Sequence, residues 1–172
     1  LNNYEPKLII FLDCGSTSNN AINFIKSKNI SSLIIDHHNT NKPYPLSDVF
    51  INPKKDCEYR KYDYLCTVFL TYLFIDLYIK KNNLKILISK EEIFVLLATV
   101  ADVMPMRGIN RILALRVLKN FDINKNFIFS SLFKILNQKK KLEIDDLAYQ
   151  IAPIINSAGR IDNANQIVEL LV

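Results

Sequence analysis

Apolar positions along this chain change their spacing once. In the first fifty residues they come as short unbroken runs closed by polar or turn residues. Lys7 to Leu12 is one such run, ending in Asp13-Cys14-Gly15, and it reads as a buried parallel strand followed by a turn. Ser16-Thr17-Ser18 offers helix N-caps, and Ala21, Ile22, Phe24 and Ile25 give a helical face up to Lys28. Ile30 to Ile35 is the second run. Strand, helix and strand make a βαβ unit, which crosses over right-handedly and sets its strands parallel. Asp13 and Asp36-His37-His38 are therefore predicted at one edge of the sheet. A polar, proline-bearing loop runs from Asn39 to Asp48, and Val49 to Pro53 is a short third strand ended by proline.

From Asp63 onward the spacing is helical. The pattern predicts helices over Tyr64 to Lys81, Lys90 to Ala101, Ile109 to Phe121, Phe127 to Leu136 and Asp145 to Ile151. Ile93, Val95, Leu96, Leu97 and Val100 form a predicted buried face. Gln138-Lys139-Lys140-Lys141 reads as a solvated helix end. The fold class is α/β: a three-layer α/β/α lobe with a mainly parallel sheet, then a mostly helical half. About 1–60 form the sheet portion and about 63–172 the helical portion, with an interdomain linker expected after 160.

Composition narrows this little. The 172 residues suit one domain or slightly more, and 49% apolar residues provide for a core. The net charge of +5 fits an anionic partner such as nucleic acid, although a bias toward isoleucine, asparagine and lysine can produce it without function. Three cysteines without pairing-like spacing point to a reducing compartment, and the expected location is cytoplasmic. The most apolar stretch, Tyr64 to Ile79, contains Asp76 and is shorter than the ~20 residues of a membrane span, so no membrane partner is expected. The chain opens at Leu1 and ends inside an apolar helical pattern, Gln166 to Val172. The expectation is a segment of a longer protein.

Four constellations carry chemistry. Asp13, at a strand end beside a glycine turn, suits a metal ligand or a ribose contact, and equally a helix N-cap. Asp36-His37-His38 holds the chain's two histidines, side by side where a strand stops. Neighbouring strand residues point to opposite faces, so leaving strand geometry lets the two rings do different jobs. A carboxylate before them can take an imidazole N–H and fix its tautomer. The imidazole and carboxylate mixture suits manganese, iron or zinc better than calcium. The plain alternative is a satisfied strand-end pair. Asp102, after an apolar helix and before Pro105, opposes the helix dipole, which a cation would offset; otherwise it is an exposed turn residue. Pro153 to Arg160 combines small residues with an arginine suited to phosphate, or forms an interhelical turn.

In this order the motifs resemble the DHH phosphoesterase superfamily, and within it the RecJ-type branch of single-strand-specific DNA exonucleases. Val100-Ala101-Asp102-Val103-Met104-Pro105 with Asn110-Arg111, Cys57-Glu58-Tyr59 before the long helix, and Pro153 to Arg160 are similar to segments of that branch. The resemblance spans nearly the whole chain. It implies a two-metal phosphodiesterase using Mn2+ or Mg2+, with single-stranded DNA as partner and DNA repair and recombination as the process. By position it implies Asp13, His37 and Asp102 as metal ligands, with Asp13 bridging both ions. His38 would face the scissile phosphate, with Asp36 behind it. Arg160, Asn156, Ser157, Gly159 and Arg111 would bind the strand.

The family's first motif, an Asp-x-Asp on an earlier strand, is missing from these residues, as is its C-terminal domain. Ile154 stands where the family has an arginine, and Thr67 and Phe69 where it has glycines. The 172 residues alone are accordingly expected to be inactive. Two other readings remain open: a phosphatase or oligonucleotide hydrolase of the same superfamily acting on short substrates, and an inactive DNA-binding scaffold.

Overall fold

A computed structural model of the chain describes residues 4–136, 141–161, 165, 168 and 169. Gln138, Lys139 and Lys140 of the predicted solvated helix end lie outside these, as do Gln166, Ile167 and Leu170 to Val172 of the terminal pattern. The chain forms two compact units, Leu1–Leu87 and Ile88–Val172.

In the first unit, β1 (Leu8–Leu12), α1 (Asn19–Ser27), β2 (Ser31–Ile35) and β3 (Val49–Ile51) are followed by a 3-10 turn, Cys57–Tyr62, and α2 (Thr67–Lys81). The strands form one parallel sheet in the order β1-β2-β3. This is the α/β sheet that the short apolar runs predict. β2 is central, and Leu33, Ile34 and Ile35 are buried. Both α1 and α2 pack against it, α1 through the buried Ile22 and Ile25.

The register places the loops that matter. Leu12 stands opposite Ile35, and Ile35 opposite Ile51. The three strands therefore end level, and the next residues, Asp13, Asp36 and Asn52, emerge side by side. The ladder runs one step into them: Asp13 N–H donates to Ile35 O at 3.1 Å, and Asp36 N–H to Ile51 O at 3.0 Å.

Three expectations need correction in this unit. β1 is not fully buried: Leu8, Ile10 and Leu12 are each about half exposed and alternate with the less exposed Ile9 and Phe11, so they share one less covered face of the strand. Phe24 is exposed, leaving Ile22 and Ile25 as the inward face of α1. Helix α2 begins at Thr67 rather than Tyr64: Tyr64 closes a turn, Cys66 is extended, and Tyr64, Leu65 and Cys66 are all buried. Thr67, Phe69, Leu70 and Ile79 of α2 are buried, whereas Ile75, Leu77 and Tyr78 are exposed.

The second unit is helical: α3 (Glu92–Ala101), α4 (Gly108–Asn120), α5 (Phe127–Ile135), α6 (Ile144–Asp146), a π turn Leu147–Ile151, and α7 (Ala152–Ile161). Helix α3 is the hub and packs on α4, the π turn and α7. Its predicted face is buried at Ile93, Val95, Leu96 and Leu97 and half-buried at Val100, with Thr99 fully buried as well. The predicted helix Asp145 to Ile151 does not stop there, and Pro153 to Arg160 is no interhelical turn but the body of α7. Proline lacks an N–H and would clash with the carbonyl four residues back in a regular helix. The wider π turn directly before Pro153 relieves this. No helix among the described residues is long and apolar enough to cross a membrane.

Three helix ends close in the same way, with the residue after the cap in the left-handed region. Asn29 (φ 55°) follows α1, Asn83 (φ 52°) follows α2, and Val103 (φ 54°) follows α3. At each, two backbone N–H groups fold back on the last turn; after α3, Met104 N–H donates to Thr99 O and Val103 N–H to Val100 O, both at 3.0 Å. Asparagine tolerates this conformation, while a β-branched residue is strained there. Val103 is 87% exposed, so its side chain recovers little by packing. The substitution Val103→Gly is expected to raise stability by about 1 kcal/mol, seen as an upward shift of the thermal midpoint. A lower midpoint would show that the valine side chain contributes more than its backbone costs.

Candidate metal centre

The end of β1 turns sharply. Asp13 adopts φ 62° and Gly15 φ 104°. A Cβ on Gly15 would lie 3.3 Å from Ile34 Cγ1 and Cγ2 and from Phe11 Cβ, so the turn depends on glycine both for conformation and for space. This turn lifts the Asp13 carboxylate, about half exposed, over the sheet edge beside His37. His37 Nε2 lies 3.4 Å from Asp13 Oδ1, and the ring is mostly buried. Cys14 and Cys57 are exposed and Cys66 is buried, and none of the three is in a disulfide.

At the end of β2 the chain leaves strand geometry after Ile35, as the paired histidines predicted. The cause is Asp36, whose carboxylate is buried to 1% exposure. Its Oδ1 accepts from the backbone N–H of His37 at 2.7 Å, from that of His38 at 3.2 Å, and from His38 Nδ1 at 2.7 Å. Its Oδ2 accepts from Ser16 N–H at 3.1 Å. Burial would raise its pKa, but the hydrogen bonds from Ser16 and His38 outweigh burial and hold it down at about 2. An ionised carboxylate only accepts, so His38 Nδ1 carries the proton of this bond. In the neutral ring Nε2 is then the acceptor.

The two rings are set apart by exposure. His37 is 11% exposed and His38 60%. They meet edge to face, with centroids 4.7 Å apart. Asp13, His37 and His38 each offer a ligand atom, and these atoms lie within 4.8 Å of one another. Donors around one small divalent ion, at bonds of about 2.0–2.2 Å, stand roughly 3–4 Å apart. Small side-chain rotations would close the cluster on an ion, and its imidazole and carboxylate donors fit manganese. His38, which the resemblance reserves for the phosphate, thus stands within this cluster as well.

The third loop braces the other two. Buried Asn52, the residue after β3, donates from Nδ2 to Ser16 Oγ at 2.7 Å and to His38 O at 2.9 Å. Its Oδ1 accepts from Lys54 N–H at 2.8 Å. Thr40 Oγ1 donates to Ser16 O at 2.7 Å. Sequence reasoning missed Asn52 and Thr40 and saw in Ser16 only one of three candidate helix caps. The N-cap position of α1 belongs to Ser18, without a side-chain cap bond. The available signal was an asparagine before Pro53 at the third strand end, level with the two aspartates.

The remaining predicted residues lie in the second unit. Asp102 is exposed and caps α3, immediately before the strained Val103. Buried Asn110 donates from Nδ2 to Pro105 O at 3.0 Å, which fastens the Asp102 to Pro105 loop to α4; Arg111 beside it is exposed. On α7, Asn156 and Ser157 are exposed, with Ser157 Oγ donating to Ile154 O at 2.8 Å. Gly159 and Arg160 belong to α7, and the Arg160 side chain lies outside the described ones.

The parallel sheet thus gathers an aspartate, a histidine pair and a supporting aspartate at its C-terminal edge, where open α/β sheets bind their ligands. Residues 1–100 match the DHH family, N-terminal domain, and the chain belongs to that family. It is 29% identical to the single-stranded-DNA-specific exonuclease RecJ of Escherichia coli (strain K12), over 96% of this chain and 31% of that protein. To RecJ of Salmonella typhimurium it is 30% identical over the same shares. The chain thus spans about a third of the length of the curated relatives it matches. Among solved structures, RecJ from Thermus thermophilus in complex with Mn2+ has the same fold, with a TM-score of 0.79 at 22% identity over 96% of this chain and 24% of that one. A second exonuclease RecJ, bound to manganese, gives a TM-score of 0.68 at 21% identity over 92% of this chain and 40% of that one.

Asp36 links the site to stability. Its pKa falls from 3.8 to about 2 on folding, so its contribution is complete above pH 4 and is lost as the pH drops through 2. Near 2 pKa units correspond to roughly 2–3 kcal/mol. Asp36→Asn is expected to lower stability by about that amount at pH 7 and to flatten its dependence between pH 4 and 2, measured as urea midpoints across the pH series. An unchanged midpoint at pH 7 would show that the carboxylate contributes nothing net.

Proposed function

We propose that the chain is the DHH part of a metal-dependent phosphodiesterase that removes nucleotides from single-stranded DNA, in the manner of RecJ. The observation that carries this reading is the Asp13, His37 and His38 cluster at the sheet edge, with Asp36 behind it. It is supported by membership of the DHH family and by the names of the relatives.

In this reading Asp13 and His37 would hold a divalent ion, Mn2+ or Mg2+, and the resemblance to the family gives Asp102 a ligand role of its own. Such an ion supplies Lewis-acid polarisation of a phosphoryl oxygen and activation of water. The residues do the rest. Ionised Asp36 keeps the His38 Nδ1 proton in place and so keeps Nε2 as the working atom. The exposed His38 ring can then accept a hydrogen bond or proton at Nε2 in its neutral form, and donate one to a phosphate oxygen once protonated. Arg160, Asn156, Ser157, Gly159 and Arg111 hold the strand, with the arginines forking onto phosphates.

The test is a nuclease assay with Mn2+ on the longer enzyme of which this chain is the proposed DHH part, comparing single-stranded with duplex DNA, alongside Mn2+ titration; the 172 residues alone are expected to be inactive. Single-strand-selective release of nucleotides is expected, lost at least about 100-fold in Asp13→Ala. His37→Ala should weaken Mn2+ binding, whereas His38→Ala should lower turnover about 100-fold or more and keep the ion. Equal loss of metal in both histidine variants would make His38 a ligand instead. Hydrolysis confined to di- and trinucleotides would move the assignment to a short-substrate hydrolase. Normal Mn2+ binding without hydrolysis would leave a scaffold.

A further inference from the structure

The first unit carries a cleft of about 390 Å3, lined by Asn39, Thr40 and Asn41 of the loop that follows His38 and by Lys54, Arg60 and Asp63. Its volume suits a small molecule, but its lining does not suit an apolar one. All six side chains are polar: two cations, two carboxamides, one hydroxyl and one carboxylate. The cations match an anionic group. The carboxamides both donate and accept, and the carboxylate adds an acceptor, a set that reads a base edge or a sugar hydroxyl. A bare anion would need neither carboxamide nor carboxylate.

The cleft is built on the same loops as the metal cluster. Asn39 follows His38, and Thr40 is tied to Ser16 O. Asn52, which grips His38 O, also fixes the backbone of Lys54. One buried brace therefore sets both the cluster and the wall of the cleft.

We propose that this cleft is a nucleotide subsite. It takes the nucleoside monophosphate unit adjoining the phosphate to be cleaved, with Lys54 and Arg60 on its phosphate, and Asn39, Asn41 and Asp63 on its base and sugar. The proposal rests on the function assigned above, but binding in this cleft requires no metal.

The test is isothermal titration of the chain, in EDTA, with thymidine 5′-monophosphate, thymidine and inorganic phosphate. Wild type should bind the monophosphate more tightly than either part. Arg60→Gln and Lys54→Met should each weaken it about tenfold, the effect of one charge-assisted hydrogen bond. Asn41→Ala, at an exposed loop position, should weaken the monophosphate and leave phosphate unchanged, which covers the case of a cation variant that fails to fold. Wild-type Mn2+ affinity in a variant certifies its fold. Absence of monophosphate binding, indifference to all three substitutions, or phosphate binding as tightly as the monophosphate would each overturn the subsite. Loss of Mn2+ binding at Asp13 and His37 with variant-sensitive nucleotide binding would sink the phosphodiesterase reading and leave the subsite standing.

Discussion

The site depends on one buried negative charge. Asp36 sits at 1% exposure, where an unpartnered carboxylate would take up a proton rather than remain ionised. It stays charged because four donors converge on it, three of them backbone N–H groups. Those groups belong to the two loops that leave β1 and β2. Satisfying Asp36 therefore fixes the path of both loops, the tautomer of His38 and the approach of Asp13 to His37. Neutralising it would leave a buried donor set with one acceptor too few.

The parallel sheet makes this convergence possible. Because Leu12, Ile35 and Ile51 stand in one row, three consecutive strand ends deliver Asp13, Asp36 and Asn52 together. Each then does something different. Asp13 is rotated outward by a left-handed backbone that Gly15 completes. Asp36 turns inward and collects hydrogen bonds. Asn52 links Ser16 to His38. The cluster of Asp13, His37 and His38 and the loops that line the polar cleft are thus held by a single hydrogen-bonded frame.

Much of this was legible in the sequence because parallel strands and paired histidines leave strong local marks. The runs ending at Leu12 and Ile35 located the sheet edge, and the composition of Asp36-His37-His38 marked the candidate site. The helical spacing after Asp63 located α2 to α5 within a few residues. What stayed hidden depended on tertiary partners. Ser16 looked like a cap because its loop contains three hydroxyl residues in a row, and only the fold shows its N–H reaching Asp36. Asn52 and Thr40 act through atoms on loops far away in sequence. The helix through Pro153 was hidden because a proline beside small residues reads as a turn unless a π turn can relieve it. Val103 in a left-handed helix end breaks the local rule that Asn29 and Asn83 follow, and no sequence rule predicts the exception.

The proposed chemistry requires Asp13 and His37 to share an ion at the sheet edge. Anomalous scattering at the manganese edge, from crystals of the protein grown with Mn2+, measures this directly. The expected result is a peak about 2.0–2.3 Å from a carboxylate oxygen of Asp13 and from a ring nitrogen of His37. His38 Nδ1 should remain on Asp36. Ordered crystals in which saturating Mn2+ gives no peak at Asp13 and His37, or a peak only elsewhere, would contradict it.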